Sequence, residues 1–311
     1  MPAGLDTSII TPLSPTPRPA LTAIERTHHP LQGVMLMLAA VACFAALDST
    51  TKLVTVAVPM LVAVWFRYAF QAVVTVLTLW PSQRRRLFET QRPGLHLARG
   101  LLLVGTSALA FLSLKVVSVA EFTAIVMLSP IVMSVVSAWR LKQNPGTLGW
   151  LCVLGGFVGV LIVMRPGGSL FGWASLLPLG LVATNSAYQL ITSELGTTDD
   201  LGTMHFYSGL IGAVLPAVAL PWVWEPIHEW HIWGMLTLLG VFSSAGHLLL
   251  SKAYQKAPVV QLTPFLYAQI GFAALAGWLV FQHVPDAWSL IGIGLIALCG
   301  AGSAWFRASR R

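Results

Sequence analysis

A chain of 311 residues with 56 % hydrophobic and only 9 % charged side chains, and a mean hydropathy of +0.76, falls outside the soluble globular class, in which about a quarter of residues are charged. Its net charge of +7 does not point to nucleic acid. The densest basic cluster, Arg84, Arg85 and Arg86, sits in a short connection between apolar stretches and lacks the basic face with stacking partners that such a ligand needs.

In chain order, residues 1–30 come first, with Pro2, Pro12, Pro15, Pro17 and Pro19 among Ser and Thr. This composition predicts a disordered cytoplasmic tail that cannot bury a core. The first apolar stretch begins too late, is too long and lacks a small-residue cleavage site for a removable signal, so the first span is expected to act as the signal anchor. Apolar stretches then follow at about 33–54, 59–80, 97–115, 121–139, 147–164, 171–192, 203–223, 231–251, 258–281 and 287–306. Each has about 18 residues or more, enough for a hydrocarbon core of about 30 Å. A short basic tail, 307–311, closes the chain. Cys43, Cys152 and Cys299 fall inside these stretches with no CxxC pair or ligand spacing, so neither a disulfide nor a metal is expected.

The stretches repeat. At an offset of 139 positions, GVMLMLAAVACF from Gly33 lies over GWASLLPLGLVA from Gly172, and VWFRYAF from Val64 over TMHFYSG from Thr203. Five crossings is an odd number, so the second copy would enter from the opposite side, the inverted-repeat plan of many secondary transporters. The fold class expected is therefore an all-α polytopic membrane protein with ten transmembrane helices in two inverted five-helix repeats, 31–166 and 167–306. With the N-terminus cytoplasmic, 14 basic residues collect inside, Arg99 among them. Only Lys52, Arg67, Lys115 and Arg165 remain on the outer side. That bias places both termini in the cytoplasm. The TSELGTTDD loop, with three acids and no base, runs against it.

No G-x-x-x-x-G-K-[ST] loop is present and no soluble stretch could hold a nucleotide-binding domain, so ATP on this chain does not drive transport. HEWH from His228 has its histidines three apart beside Pro226, which is not the HExxH spacing. With Trp222, Trp224, Trp230 and Trp233 it reads as an interfacial loop with aromatic anchors. Gly155, Gly156 and Gly159 form a small-residue face suited to close helix packing.

Ionisable groups inside spans are costly and usually face a cavity or a partner. Asp48 and Lys52, at i and i+4 on the first span, can pair on one face. Arg67, about 12 Å in from the outer end of the second span, lies at a depth from which it could reach Asp48. Two readings stay open: a network that locks the first two helices, and a substrate or proton site. Lys115 and Glu121 are expected near the outer surface, with Glu121 also a candidate for coupling or gating. The second half offers neutral polar groups: Asn185, Tyr188 and Gln189 on one face of the sixth span, His205 and Tyr207 on the seventh, His247 on the eighth, and Gln261, Tyr267 and Gln269 on the ninth. Each suits ligand contact or interhelical hydrogen bonding. Pro130 and Pro264 break corresponding helices of the two halves, and such paired breaks point to a midplane site.

The stretches AEFTAIVMLSPIVMSVVSAW, HFYSGLIGAVLPAVALPWVW and, most specifically, GHLLLSKAYQKAPVVQLTPFLYAQIGFAALAGWLVF, within about residues 33–306, resemble bacterial EamA-type members of the drug/metabolite transporter superfamily. The resemblance implies a central cavity lined mainly by the first, third, fourth, sixth, eighth and ninth helices, and movement of small metabolites across the cytoplasmic membrane, often outward. The chain departs from such relatives after the fourth and ninth helices. There LKQNPG and FQHVPD put Gln143 and Gln282 near a place where many carry a Gly-Glu pair.

The expectation is a secondary-active exporter of a small polar or zwitterionic metabolite, an amino-acid-like compound or an opine-type metallophore, working by alternating access in a bacterial inner membrane. Uptake of a vitamin or nucleoside-like metabolite such as riboflavin or S-adenosylmethionine is the alternative, and an integral membrane enzyme a distant one. Arg67 is the expected contact for a substrate carboxylate. Asp48 would hold it or exchange a proton, and Asn185, Tyr188, Gln189, His247, Tyr267 and Gln269 would orient the rest. Lys52, Glu121, Pro130 and Pro264 are the candidates for coupling or gating. No catalytic residue, cofactor or metal is expected; the partners are the substrate, the bilayer and a second copy in a homodimer, with no nucleic acid.

Overall fold

The structure is a computed structural model that describes residues 30–129, 131, 132, 136, 146–164, 176–195, 198–256, 262 and 265–309. Pro130, Pro264, Gln143, Gln261 and Arg165 lie outside the described residues. Among those described, helices of eight residues or more run α1 (Pro30–Val54), α2 (Met60–Gln83), α3 (Pro93–Val116), α4 (Val119–Val126), α5 (Gly146–Met164), α6 (Leu176–Leu195), α7 (Leu201–Ala217), α8 (Trp230–Lys256), α9 (Ala268–Phe281) and α10 (Ala287–Ser309). No strand occurs among the described residues. Leu31–Val54, Met60–Phe88, Pro93–Val116 and Trp230–Leu250 are long and apolar enough to cross a bilayer, and Trp150–Val163, Ala268–Phe281 and Ala287–Cys299 are shorter apolar helices. The chain is thus a polytopic helical membrane protein.

Local sequence explains where the helices stop. Pro93 occupies the first turn of α3, where its missing N–H costs nothing. Ser118 and Glu121 form a capping box at the start of α4: Glu121 N–H donates to Ser118 Oγ (3.2 Å) and Ser118 N–H donates to Glu121 Oε2 (3.2 Å). Pro81 falls in the last turn of α2, and the chain then tightens into a 3₁₀ turn, Arg84–Phe88, whose Leu87 is fully buried. Gln282 closes α9 in the left-handed region (φ 53°), a conformation that favours glycine.

Packing is mostly between the two halves of the chain. α1 packs on α8 and α9, α2 on α7 and α8, α3 on α6 and α7, α4 on α6 and α9, and α5 on α10. Exchanging α1–α5 with α6–α10 maps this set onto itself: α1–α8 becomes α6–α3, α1–α9 becomes α6–α4, and α2–α8 becomes α7–α3. Glycines let the paired helices touch. A Cβ on Gly209 would lie 2.8 Å from the Ala72 nitrogen, one on Gly212 would enter the Tyr68 ring, and one on Gly159 would lie 2.9 Å from the Gly292 carbonyl oxygen. Gly155 and Gly156 meet Cys299 and Ile131, so the small-residue face of α5 is a packing face.

Candidate functional site

The buried polar groups gather where α1, α2, α3, α6, α7, α8 and α9 face one another. Arg67 on α2 donates through Nε to Ser243 Oγ of α8 (2.7 Å) and through Nη1 to Ser107 Oγ of α3 (3.2 Å). Among the described residues its Nη2 has no protein hydrogen bond. The guanidinium also lies 5.2 Å from the centroid of the Tyr68 ring. Tyr68 is itself fully buried, with its hydroxyl 2.5 Å from Ser107 Oγ and donating to the Leu103 carbonyl (3.1 Å). Asp48 on α1 accepts from Gln269 Nε2 of α9 (3.2 Å) and lies within electrostatic reach of Arg67 without a direct ion pair. His247 of α8 meets Phe44 edge to face at 5.1 Å, and it feels the charges of Arg67 and Arg99.

Arg99 is the residue the sequence pattern hid. Counted above among the inside surface charges, it is instead buried, only 5 % exposed, and it joins α3 to α6 and α7. Its Nε donates to Thr192 Oγ1 (2.8 Å), Nη1 to the Met204 carbonyl (2.6 Å) and to Ser208 Oγ, and Nη2 to Tyr188 Oη (2.8 Å). The Tyr188 ring also lies 4.8 Å from the guanidinium. A span beginning at 97 makes Arg99 its third residue, at the membrane surface, whereas the helix begins at Pro93 and so carries Arg99 more than one turn in. Gln71 extends the same centre, donating from Nε2 to the His205 carbonyl (3.1 Å).

The other candidates separate from this centre. Lys52 does not pair with Asp48; its ammonium donates to the Leu114 (3.0 Å) and Val117 (2.6 Å) carbonyls, the unsatisfied C-terminal end of α3. Glu121 is held in its capping box. Lys115 is exposed, 5.3 Å from the Phe111 ring centroid. Asn185 Nδ2 donates to Ser129 Oγ (3.3 Å), beside α4, while Tyr188 belongs to Arg99. Gln189 is half-buried, and Tyr267 is buried in an apolar cluster with Ile125, Val182 and Ile270. A separate cleft of about 150 Å³ opens between Ala57–Val62 and Glu225–Ile232, and none of the polar centre lines it.

At the end of the bundle where the RRR turn lies, the two halves are tied together. His96 Nε2 donates to Asp199 Oδ2 (2.6 Å), with both side chains buried, and Thr90 Oγ1 donates to the same oxygen (2.6 Å). Tyr207 Oη donates to the Phe88 carbonyl (2.9 Å), and Arg92 pairs with Glu194 at the exposed rim (3.1 Å). Burial pushes the Asp199 carboxyl up, but hydrogen bonds from Thr90, His96 and Thr198 outweigh it and hold the group below the usual carboxylate range. The acidic loop that ran against the charge bias is thus a set of partners for the basic loop beside it.

The EamA-like transporter family model matches twice, over residues 31–165 and 170–301. The chain belongs to the EamA-like transporter family. It is similar to a riboflavin transporter of Vibrio cholerae, 31 % identical over 87 % of this chain and 92 % of that protein. An S-adenosylmethionine uptake transporter of Rickettsia bellii is 26 % identical over 75 % of this chain and 79 % of its own. The pseudopaline exporter CntI of Pseudomonas aeruginosa is 26 % identical over 86 % and 93 %. A crystal structure only 19 % identical shares the fold, with a TM-score of 0.66 over 89 % of this chain and 98 % of that one. As an EamA-like protein the chain is a membrane transporter of small molecules and not an enzyme.

Proposed function

We propose that this EamA-like chain is a secondary-active carrier of a small polar metabolite, built from ten spans in two inverted repeats, 31–166 and 167–306, with both termini cytoplasmic, and that it works by alternating access between the halves. Two successive family matches and a helix-pairing pattern that maps onto itself support the repeats. The observation that carries the substrate site is Arg67: a guanidinium inside the bundle, fixed by one serine from each half, with Nη2 left for a ligand. Asp48 and Gln269 stand within the same centre, and His247 and Tyr188 border it. Substrate entering from one side would meet this centre, and rocking of the halves would expose it to the other. Export is the leading direction, in line with the pseudopaline exporter among the relatives. Uptake of a vitamin or nucleoside-like metabolite is the second reading, favoured by the similarity to riboflavin and S-adenosylmethionine carriers.

Counterflow in proteoliposomes tests the carrier reading, with amino acids, riboflavin, S-adenosylmethionine and metal-chelating opines as the panel. At least one compound is expected to show counterflow. Arg67→Ala is expected to cut its rate about tenfold or more, the loss of a hydrogen bond to a charged group, and Arg67→Lys to restore it only in part because the planar fork is gone. Parent rates in both variants, inserted normally, would remove Arg67 from the site.

A further inference from the structure

Arg67 and Arg99 are both cations inside the helix bundle, and neither has a carboxylate among its hydrogen-bond partners. Arg99 donates to two hydroxyls of α6, Thr192 and Tyr188, and to the Ser208 hydroxyl and Met204 carbonyl of α7; Arg67 donates to two serines. Among the described residues Asp48 is the single acid that shares the centre, and Gln269 donates to it. The remaining described acids stand in loops or at helix ends. His247, within electrostatic reach of both arginines, and His205, within reach of Arg99, add no negative charge. Among the described residues, two guanidinium groups against one carboxylate leave this centre one positive charge in excess, and a buried charge without a counter-charge is costly.

The two cations stand at different depths. Arg67 is anchored on Ser107, eight residues along α3 from Arg99, a rise of about 12 Å. Their hydrogen-bonding states differ. Arg99 has a protein partner on each of its three nitrogens, whereas Arg67 keeps Nη2. At an effective dielectric of about 20, a unit charge about 12 Å away favours an anion about tenfold.

Resting on the carrier reading above, we infer that the transported compound bears a net negative charge, from a carboxylate or a phosphate, which contacts Arg67 Nη2 and is held in the field of Arg99. The missing counter-charge of the bundle is then supplied by the substrate itself. Arg99 acts as an electrostatic positioning residue and Arg67 as the contact.

The test takes the compound with the strongest proteoliposome counterflow from a panel of glutamate, glutamine, riboflavin, flavin mononucleotide, S-adenosylmethionine and a metal-chelating opine. That compound is compared with its own neutralised form, an amide or ester for a carboxylate and the dephosphorylated form for a phosphate. The strongest compound is expected to be an anion, and neutralising it to weaken competition about tenfold or more. In Arg67→Gln the preference for the acid is expected to collapse to within about twofold, the contact being gone. Arg99→Lys, which keeps the charge, retains the preference, and Arg99→Gln loses about tenfold of it. A strongest compound that is neutral or cationic, or an acid whose neutral form competes equally, overturns the inference and leaves the carrier reading standing. Counterflow by none of the panel overturns the carrier reading and this inference with it.

Discussion

Single residues carry the electrostatics, and the clearest case outside the bilayer is Asp199. Its carboxyl is held below the ordinary carboxylate range by Thr90, His96 and Thr198, so its stabilising effect is fully present above the unfolded pKa of about 3.9 and is lost as pH falls through the lower folded value. Asp199→Asn keeps the shape and removes the charge. At pH 7 the variant is expected to be less stable by about 1.5–3 kcal/mol, as for hydrogen bonds to a charged group. Thermal unfolding in detergent checks this: the Tm values of parent and variant should converge as pH is lowered towards the folded-state pKa, and a gap independent of pH would contradict the assignment. Such a contact is not legible in the sequence, since His96 and Asp199 are 103 positions apart. Arg67 and Asp48 were legible, because a charge inside an apolar stretch is conspicuous. Arg99 was not, because it stands near the end of its stretch, where a solvated charge is ordinary.

The helices themselves were easier to read than their partners. Apolar length and turn chemistry located α1, α2, α3 and α8 closely, and the capping box and Pro93 explain where α4 and α3 begin. Helix pairing depends on glycines whose meaning appears only in three dimensions. Gly209 faces the backbone of Ala72, which cannot swing away as a side chain would. Gly209→Ala must push α2 from α7 and is expected to cost about 1–3 kcal/mol, while Gly105→Ala, with open space around the added carbon, should be neutral or slightly stabilising. Thermal melts of the two purified variants check the contrast; equal Tm values would mean that α2 and α7 are not packed this closely. Lys52 makes a similar point. On one helix it suits Asp48, yet in the bundle the carbonyls ending α3 give its ammonium stronger company.

At the scale of the molecule, the pairing of the described helices survives exchange of the halves, in keeping with the repeat proposed from the 139-residue offset. The charges do not share that symmetry. Asp48 and Arg67 belong to the first half and stand over Ala187 and Phe206 at the offset, so a near-symmetric scaffold surrounds an asymmetric polar centre. In the proposed carrier, exchange between two packings of the halves would open the centre to either side. The contacts at the RRR end, His96 with Asp199 and Tyr207 with Phe88, cross the halves, and in the proposed alternating-access cycle they would part when that side opens. The most direct test of alternating access places a single cysteine in the centre, Gln269→Cys, after Cys43, Cys152 and Cys299 have been replaced. A membrane-impermeant thiol reagent is then applied to right-side-out and to inside-out vesicles. Alternating access predicts labelling from both sides, slowed in each case by transported substrate; labelling from one side only, unchanged by substrate, would contradict it.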